Sequence, residues 1–121
     1  MHELSIATAV LNTAVDHAAE RPVSAVGVRV GTLRQVVPDS LRFYFEIVAR
    51  DTVCERARLE LIETQARLRC LDCEHEWTPE WASFRCAACA SANVEVMAGE
   101  ELLVEYIEVE EKEPAACIAP R

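Results

Sequence analysis

Four cysteines arranged in two pairs are the residues of this sequence best suited to hold a metal. Cys70-x2-Cys73 and Cys86-x2-Cys89 are separated by twelve residues. Two pairs at this spacing direct four thiolates to one ion, and such tetrads hold zinc in a closed tetrahedron. Because four protein ligands leave no position for a substrate, the pattern predicts a structural zinc site. Iron in a rubredoxin-like site would use the same four ligands.

The first three residues, Met1, His2 and Glu3, form a second candidate metal site. The α-amine of Met1, the amide nitrogens of His2 and Glu3 and the imidazole of His2 can lie in one plane. Four nitrogens in a plane suit Ni(II) or Cu(II), whereas zinc prefers a tetrahedron. The alternative is that these residues are frayed and bind nothing, as chain termini commonly do.

Length and composition limit the class of protein. With 121 residues, the chain is one domain, or one domain with a small module, and an apolar content of 51% excludes disorder for most of it. No apolar run approaches the roughly 18–20 residues of a membrane span, and no secretory signal precedes the fold. We therefore expect a cytoplasmic protein whose six cysteines are thiols or metal ligands and not disulfides.

Acidic residues give the chain a net charge of −9 and are concentrated near its end. Residues 100–113 contain seven Glu and one Lys. Such a surface repels phosphate backbones and argues against a nucleic-acid partner. The run is explained either as a solvated strand edge with a tail, or as a docking surface for a basic partner.

Apolar periodicity predicts two helices and three strands. The first helix spans residues 3–20, with an apolar stripe at three- to four-residue spacing formed by Leu4, Ala7, Leu11, Ala14, Val15 and Ala18. A second helix begins near Pro38, with Asp39 or Ser40 as its N-cap, and buries Leu41, Tyr44, Phe45 and Val48. The strands cover residues 26–30, closed by Gly31, then 58–69, and finally 101–109, which carries Leu103, Ile107 and Val109 on one face.

These elements predict an α/β fold of the α+β type, with two helices packed on a three-stranded sheet and an inserted zinc-ribbon-like module. The expected division is a discontinuous α/β domain at 1–66 and 93–113, a zinc module at 67–92 and a disordered tail at 114–121. Trp77, Trp81 and Phe84 are expected to pack over the zinc site, the alternative being that they form a partner-facing patch.

The sequence resembles the HypA/HybF family along nearly its whole length. The resemblance rests on Met1–Ser5, on Gly31-x-Leu33 with Pro38-x-x-Leu41 and Phe45, on the two cysteine pairs, and on Gly99–Leu102 leading to Ile107–Glu110. It implies a nickel metallochaperone for [NiFe]-hydrogenase maturation, with urease as a possible further client. It also implies nickel as cargo at the chain start, structural zinc at the cysteines, and two partners: a nickel-handling GTPase and the hydrogenase large-subunit precursor.

The remaining polar residues carry weaker hypotheses. His75 could exchange with a thiolate, whereas His17 is expected on the helix surface, Cys54 as a structural thiol and Cys117 in the tail. No serine–histidine or cysteine–histidine arrangement stands out, so we do not expect an enzyme. Two other functions use the same cysteines: a zinc-ribbon adaptor without a second metal, and a thiol redox or iron protein.

Overall fold

The computed structural model describes residues 2–79 and 84–110. In chain order the elements are α1 (His2–Ala18), β1 (Val23–Gly31), a short 3-10 helix (Thr32–Arg34), α2 (Pro38–Val48), β2 (Arg58–Thr64), β3 (Arg67–Cys70), β4 (Glu76–Trp77), β5 (Val94–Ala98) and β6 (Leu102–Val109). The strands form two three-stranded sheets, in the orders β2-β1-β6 and β4-β3-β5. Met1, Trp81, Cys117 and the predicted tail at 114–121 lie outside the described residues.

Helix α1 buries a stripe that differs in part from the predicted one. Its buried apolar residues are Ile6, Ala7, Val10, Leu11, Ala14 and Ala18. The prediction was wrong for Leu4 and Val15, which are 39% and 37% exposed. The helix also ends two residues earlier than predicted, because Ala19 and Glu20 take the left-handed conformation with φ of 54° and 66°.

Helix α2 begins one residue before the predicted caps. Val37 occupies the N-cap position and Pro38 is the first helical residue, so the assignment of Asp39 or Ser40 as the N-cap was wrong. Proline suits this position because its ring presets the helical φ and it lacks an N–H that the helix could not pair. Leu41 and Phe45 are buried, as predicted, and the helix packs against α1.

The sheet β2-β1-β6 contains a tyrosine that spans its width. The ring of Tyr106 lies on Gly27 of the central strand, where a Cβ atom would have no space. Its hydroxyl donates a hydrogen bond to the carboxylate of Glu60 on β2. The buried side chains of β1 include Val26 and Val28, which agrees with the predicted strand.

The predicted strand at 58–69 is two strands that belong to different sheets. After β2, the N–H of Ala66 donates to Thr32 Oγ1 at 3.0 Å, and β3 then becomes the central strand of the second sheet. There β3 pairs antiparallel with β4, with Leu68 opposite Trp77. It also pairs antiparallel with β5, with Leu68 opposite Val96. Strands β4 and β5 were not predicted from the sequence.

Two compact units are present. Among the described residues, the first contains 2–28, 36–61 and 103–110, and the second contains 29–35, 62–79 and 84–102. Both helices lie in the first unit, and all four cysteines of the paired motifs lie in the second. No helix among the described residues combines the length and apolar character needed to cross a bilayer.

Candidate metal centre

The first cysteine pair sits on a tight turn at the end of β3. The N–H of Cys70 donates to the carbonyl of His75 at 2.8 Å, and the N–H of Glu74 donates to the carbonyl of Cys70 at 2.9 Å. The turn reverses at Glu74, whose φ is 66°. The N–H groups of Asp72 and Cys73 both point at Cys70 Sγ, at 3.4 Å. This turn, residues 70–75, is the first knuckle.

The second cysteine pair repeats this geometry. The N–H of Cys86 donates to the carbonyl of Ser91 at 2.9 Å, and that of Ala90 donates to the carbonyl of Cys86 at 2.9 Å. Ala90 has a φ of 63°. The N–H groups of Ala88 and Cys89 point at Cys86 Sγ at 3.3 and 3.4 Å. Residues 86–91 therefore form a second knuckle with the backbone pattern of the first.

The two knuckles bring four sulfurs together. Cys70 Sγ lies 3.7 Å from Cys89 Sγ, and Cys73 Sγ lies 3.6 Å from Cys86 Sγ. All four ligand atoms lie within 4.8 Å of one another. A tetrahedral zinc with bonds of about 2.3 Å places its sulfurs roughly 3.8 Å apart. The donor type and the two shorter sulfur separations therefore fit a tetrahedral zinc.

The electrostatics of the cluster favour one thiolate before a metal arrives. Burial opposes ionisation of Cys86, but N–H groups of Cys89 and Ala88 and the adjacent thiols lower its pKa to about 6. An N–H of Ser91 favours the Cys89 thiolate, but burial and the other three thiols raise its pKa to about 12. A metal must therefore displace protons from the cluster, so its affinity falls in acid.

A carboxylate that sequence reasoning missed connects the knuckles. Asp72 accepts hydrogen bonds from the hydroxyl of Ser91 and, at 3.2 Å, from the side-chain amide of Asn93. These two bonds hold the pKa of Asp72 below its ordinary value. Its position inside a C-x2-C pair was visible in the sequence, but no local pattern pointed to partners some twenty residues away.

The chain start places His2 in the first turn of α1. The imidazole is about half exposed, and its Nε2 lies 3.4 Å from Glu3 Oε2. The first N–H groups of an α-helix have no acceptor within the helix. The amide nitrogens of His2 and Glu3 are therefore not needed for helical hydrogen bonding. Met1, the third predicted contributor, lies outside the described residues.

Glu3 is anchored away from solvent. Its residue exposure is 7%, and its carboxylate accepts a hydrogen bond from the N–H of Val37 at 3.1 Å. That hydrogen bond is the main reason why the pKa of Glu3 lies below its ordinary value. The same bond joins the first turn of α1 to the N-cap residue of α2.

The structure also shows the surroundings of the residues that carried weaker functional hypotheses in the sequence. The ring of His75 stacks on Trp77 with centroids 5.7 Å apart, and Phe84 is 43% exposed. His17 is exposed on α1, with Nδ1 2.9 Å from the carbonyl of Thr13. Cys54 is fully buried, and burial raises the pKa of its thiol.

The fold and the cluster define a small metal-binding protein with a closed, structural thiolate site. A family model described as "Hydrogenase/urease nickel incorporation, metallochaperone, hypA" matches residues 1–109. Hydrogenase maturation factor HypA of Geotalea uraniireducens is 42% identical over 110 residues, covering 91% of this chain and 100% of that protein. The homologous factor of Desulfatibacillum aliphaticivorans is 40% identical over 117 residues, covering 93% and 90%.

Solved structures show the same fold. A solution structure of HypA protein matches with a TM-score of 0.67 and 25% identity, over 91% of this chain and 97% of that one. The solution structure of the nickel metallochaperone HypA from Helicobacter pylori matches with a TM-score of 0.66 and 23% identity, over 91% and 98%.

The chain belongs to the HypA family, as its sequence resemblance indicated. It is a nickel metallochaperone of hydrogenase/urease nickel incorporation, with nickel as cargo and a structural zinc module. The α/β fold class predicted from the sequence is confirmed.

Proposed function

We propose that the nickel cargo binds at the chain start, through the α-amine of Met1, the amide nitrogens of His2 and Glu3, and the imidazole of His2. The observation that carries this assignment is the exposed imidazole of His2 in a helical turn whose N–H groups need no helical acceptor. Nickel accepts four nitrogens in a plane. The carboxylate of Glu3 is engaged with Val37, which supports its amide nitrogen as the ligand.

We propose that Cys70, Cys73, Cys86 and Cys89 are the zinc ligands. The 3.6 and 3.7 Å separations between sulfurs of different knuckles support this assignment. Bound zinc would link the two knuckles and so contribute to folding. The module that contains the four cysteines then acts as a scaffold, and the domain that contains α1 carries the cargo.

An N-terminal extension tests the nickel site without altering a side chain. Adding a few residues before Met1 removes the α-amine, and we expect stoichiometric nickel binding to be lost while one zinc per chain is kept. Calorimetry measures the nickel, and elemental analysis measures the zinc. If the extended chain binds one nickel with the affinity of the original, the amine is not a ligand. If zinc is also lost, the cysteine assignment is wrong.

We further propose that the chain is a non-enzymatic, cytoplasmic carrier that acts with a nickel-handling GTPase and the large-subunit precursor of [NiFe]-hydrogenase. The polar face of α1 is the proposed GTPase contact. Its exposed residues are Thr13, Asp16 and His17, and the exposed Glu20 follows two residues after the end of the helix. This face belongs to the helix that begins at His2, so a partner bound there is close along the chain to the cargo.

Charge reversal tests the GTPase contact. The double change Asp16→Lys and Glu20→Lys should weaken capture of the purified GTPase without altering nickel or zinc content. Glu46→Lys, on the exposed surface of α2, is the matched control. Unchanged capture by the double variant would remove this face as the contact.

A further inference from the structure

A bridge of hydrogen bonds fixes one knuckle against the other. Asp72 lies in the first knuckle, and its carboxylate accepts from the hydroxyl of Ser91 and the side-chain amide of Asn93. The carbonyl of Ser91 also accepts the N–H of Cys86, which ties Ser91 to the second knuckle. A backbone bond of 2.9 Å from Leu71 N to Asn93 O lies alongside. We name the three side chains Asp72, Ser91 and Asn93 the Asp72 bridge.

The relative orientation of the knuckles decides which metal geometry the thiolates can offer. Each knuckle supplies two sulfurs, and these define a plane with the metal. In a tetrahedral complex the two planes are perpendicular, whereas in a square-planar complex they coincide. Conversion of the tetrahedral into the planar arrangement therefore requires one knuckle to rotate by about a quarter turn against its neighbour. Ni(II) favours planar coordination, whereas zinc favours tetrahedral coordination. The Asp72 bridge crosses the junction that must rotate.

The bridge exists on one side only. The two knuckles share their backbone pattern, and Asp72 occupies in the first the position that Ala88 occupies in the second. Alanine has no side chain that could form an equivalent bond. A single substitution at Asp72 therefore removes the carboxylate while leaving all four thiolates and both backbone turns in place.

We propose that Asp72 determines metal specificity at the thiolate site, by holding the knuckles in the tetrahedral orientation and so disfavouring planar Ni(II). The proposal rests on the assignment of the four cysteines to zinc. It matters for a protein whose cargo is nickel, because thiolates also bind nickel and the two metals must be kept at different sites. Asp72 touches no metal and acts by positioning.

Metal competition tests the proposal. Full-length Asp72→Ala and unmodified chains, both carrying His2→Ala so that nickel is counted only at the cysteines, are stripped of metal and equilibrated with mixtures of Zn(II) and Ni(II). We expect the preference for zinc to fall about tenfold in Asp72→Ala, since two charge-assisted hydrogen bonds are lost. Asp72→Asn keeps an acceptor oxygen and should restore part of the preference. Glu95→Ala, which removes an exposed carboxylate from β5, is the control and should change nothing.

The magnetism of the nickel-loaded form gives a second readout that fold stability alone does not change. Tetrahedral Ni(II) is paramagnetic and planar four-thiolate Ni(II) is diamagnetic. We expect nickel in the unmodified cluster to be paramagnetic and nickel in Asp72→Ala to shift toward the diamagnetic form. A folded Asp72→Ala with unchanged zinc preference and unchanged magnetism would overturn the proposal.

A second variant covers the case in which Asp72→Ala fails to fold. Ser91→Ala removes one donor of the bridge and should shift preference and magnetism in the same direction by a smaller amount. No shift in that variant would also overturn the proposal. Failure of the zinc assignment is recognised separately, because the unmodified chain would then bind no zinc at the cysteines.

Discussion

The four-cysteine cluster and the first turn of α1 hold their proposed ligand atoms in opposite ways. At the cluster, sulfurs of different knuckles already lie 3.6 and 3.7 Å apart, and backbone N–H groups surround two of them. At the chain start, the imidazole of His2 is about half exposed and lies 3.4 Å from the carboxylate of Glu3, which accepts a hydrogen bond from Val37. A closed set of donors retains its ion, whereas an exposed one can release it. The difference suits a chain that keeps one metal and delivers another.

The two units also differ in what stabilises them. The unit that contains α1 and α2 buries Leu41, Phe45 and Val26 among the helices and strands. In the unit with the cysteines, the buried side chains include Leu68, Cys70 and Cys86, so that two of its proposed zinc ligands are part of its interior. We therefore expect the first unit to be held by apolar packing and the second to depend on its metal.

The largest effect is expected from Cys73→Ala. With three thiolates the tetrahedron stays open, and a structural zinc site contributes on the order of 10 kcal/mol to folding. We expect loss of zinc by elemental analysis and loss of amide protection in the cysteine unit by hydrogen exchange, while α1 and α2 keep their protection. Cys54→Ala is the control, because Cys54 is a buried thiol of the other unit and should leave the zinc content unchanged. If Cys73→Ala kept its full zinc content, Cys73 would not be a zinc ligand and the four-cysteine assignment would be wrong.

The next effect is expected from His2→Ala. This change removes the one side-chain nitrogen of the proposed nickel site and no thiolate, so nickel affinity should fall at least a hundredfold while one zinc per chain remains. His17→Ala removes an exposed histidine from the same helix and should leave both metals unchanged. Isothermal titration with Ni(II) separates the two variants. Equal nickel affinity in both would contradict the proposed cargo site.

A smaller effect is expected from Gly27→Ala, which tests the packing of the first unit. The Tyr106 ring occupies the space that the added methyl group needs, so we expect a loss of about 1–3 kcal/mol in unfolding free energy with zinc content unchanged. Denaturant titration measures the loss. Combining the change with Tyr106→Ala removes the clash, and a double-mutant cycle should then show coupling between the two positions. If the unfolding free-energy changes of the two substitutions simply add, the Tyr106 ring does not pack against Gly27.

Sequence reasoning succeeded where the evidence is local. The apolar spacing in α1 and α2 and the valines of β1 reflect short-range periodicity, and the cysteine pairs combine two knuckles of fixed geometry. It failed where a residue's role depends on a distant partner. Alternation along 58–69 is the same whether the chain stays in one sheet or changes sheets, so the break at Ala66 was not visible. Strand β5 was not predicted for a related reason: most of its residues are exposed and give no clear apolar pattern.

The two proposed metal sites were indicated by the sequence to different extents for the same reason. Cysteines are few in the chain and each pair is closely spaced, so the sequence alone indicated which of them could bind a metal. The supporting residues Asp72 and Glu3 act through partners some twenty and thirty-four residues away, on Ser91, Asn93 and Val37. Nothing in the neighbouring sequence of either carboxylate specifies those contacts. They follow only from the fold.

The smallest effect concerns Glu3→Gln, which separates the structural role of this side chain from metal binding. The N–H of Val37 lowers the pKa of the folded carboxyl below its ordinary value. The charge therefore contributes stability that is present at neutral pH, and is lost as pH falls through the ordinary range near 4.3 and then the lower folded pKa. We expect Glu3→Gln to lower the midpoint of thermal unfolding by a few degrees at pH 7, and this difference from the original chain to disappear once the pH lies below the folded pKa of Glu3.

The matched control for this effect is Glu46→Gln on the exposed surface of α2, which should leave the midpoint of thermal unfolding at pH 7 unchanged. Nickel affinity at pH 7.5 should be nearly unchanged in Glu3→Gln, because the proposed ligand is the amide nitrogen and the carboxylate is held by Val37. A large loss of nickel without a loss of stability would make the carboxylate a ligand and the contact with Val37 incidental. The chain start would then use an oxygen donor beside its nitrogens, and the contrast with the closed sulfur cluster would widen.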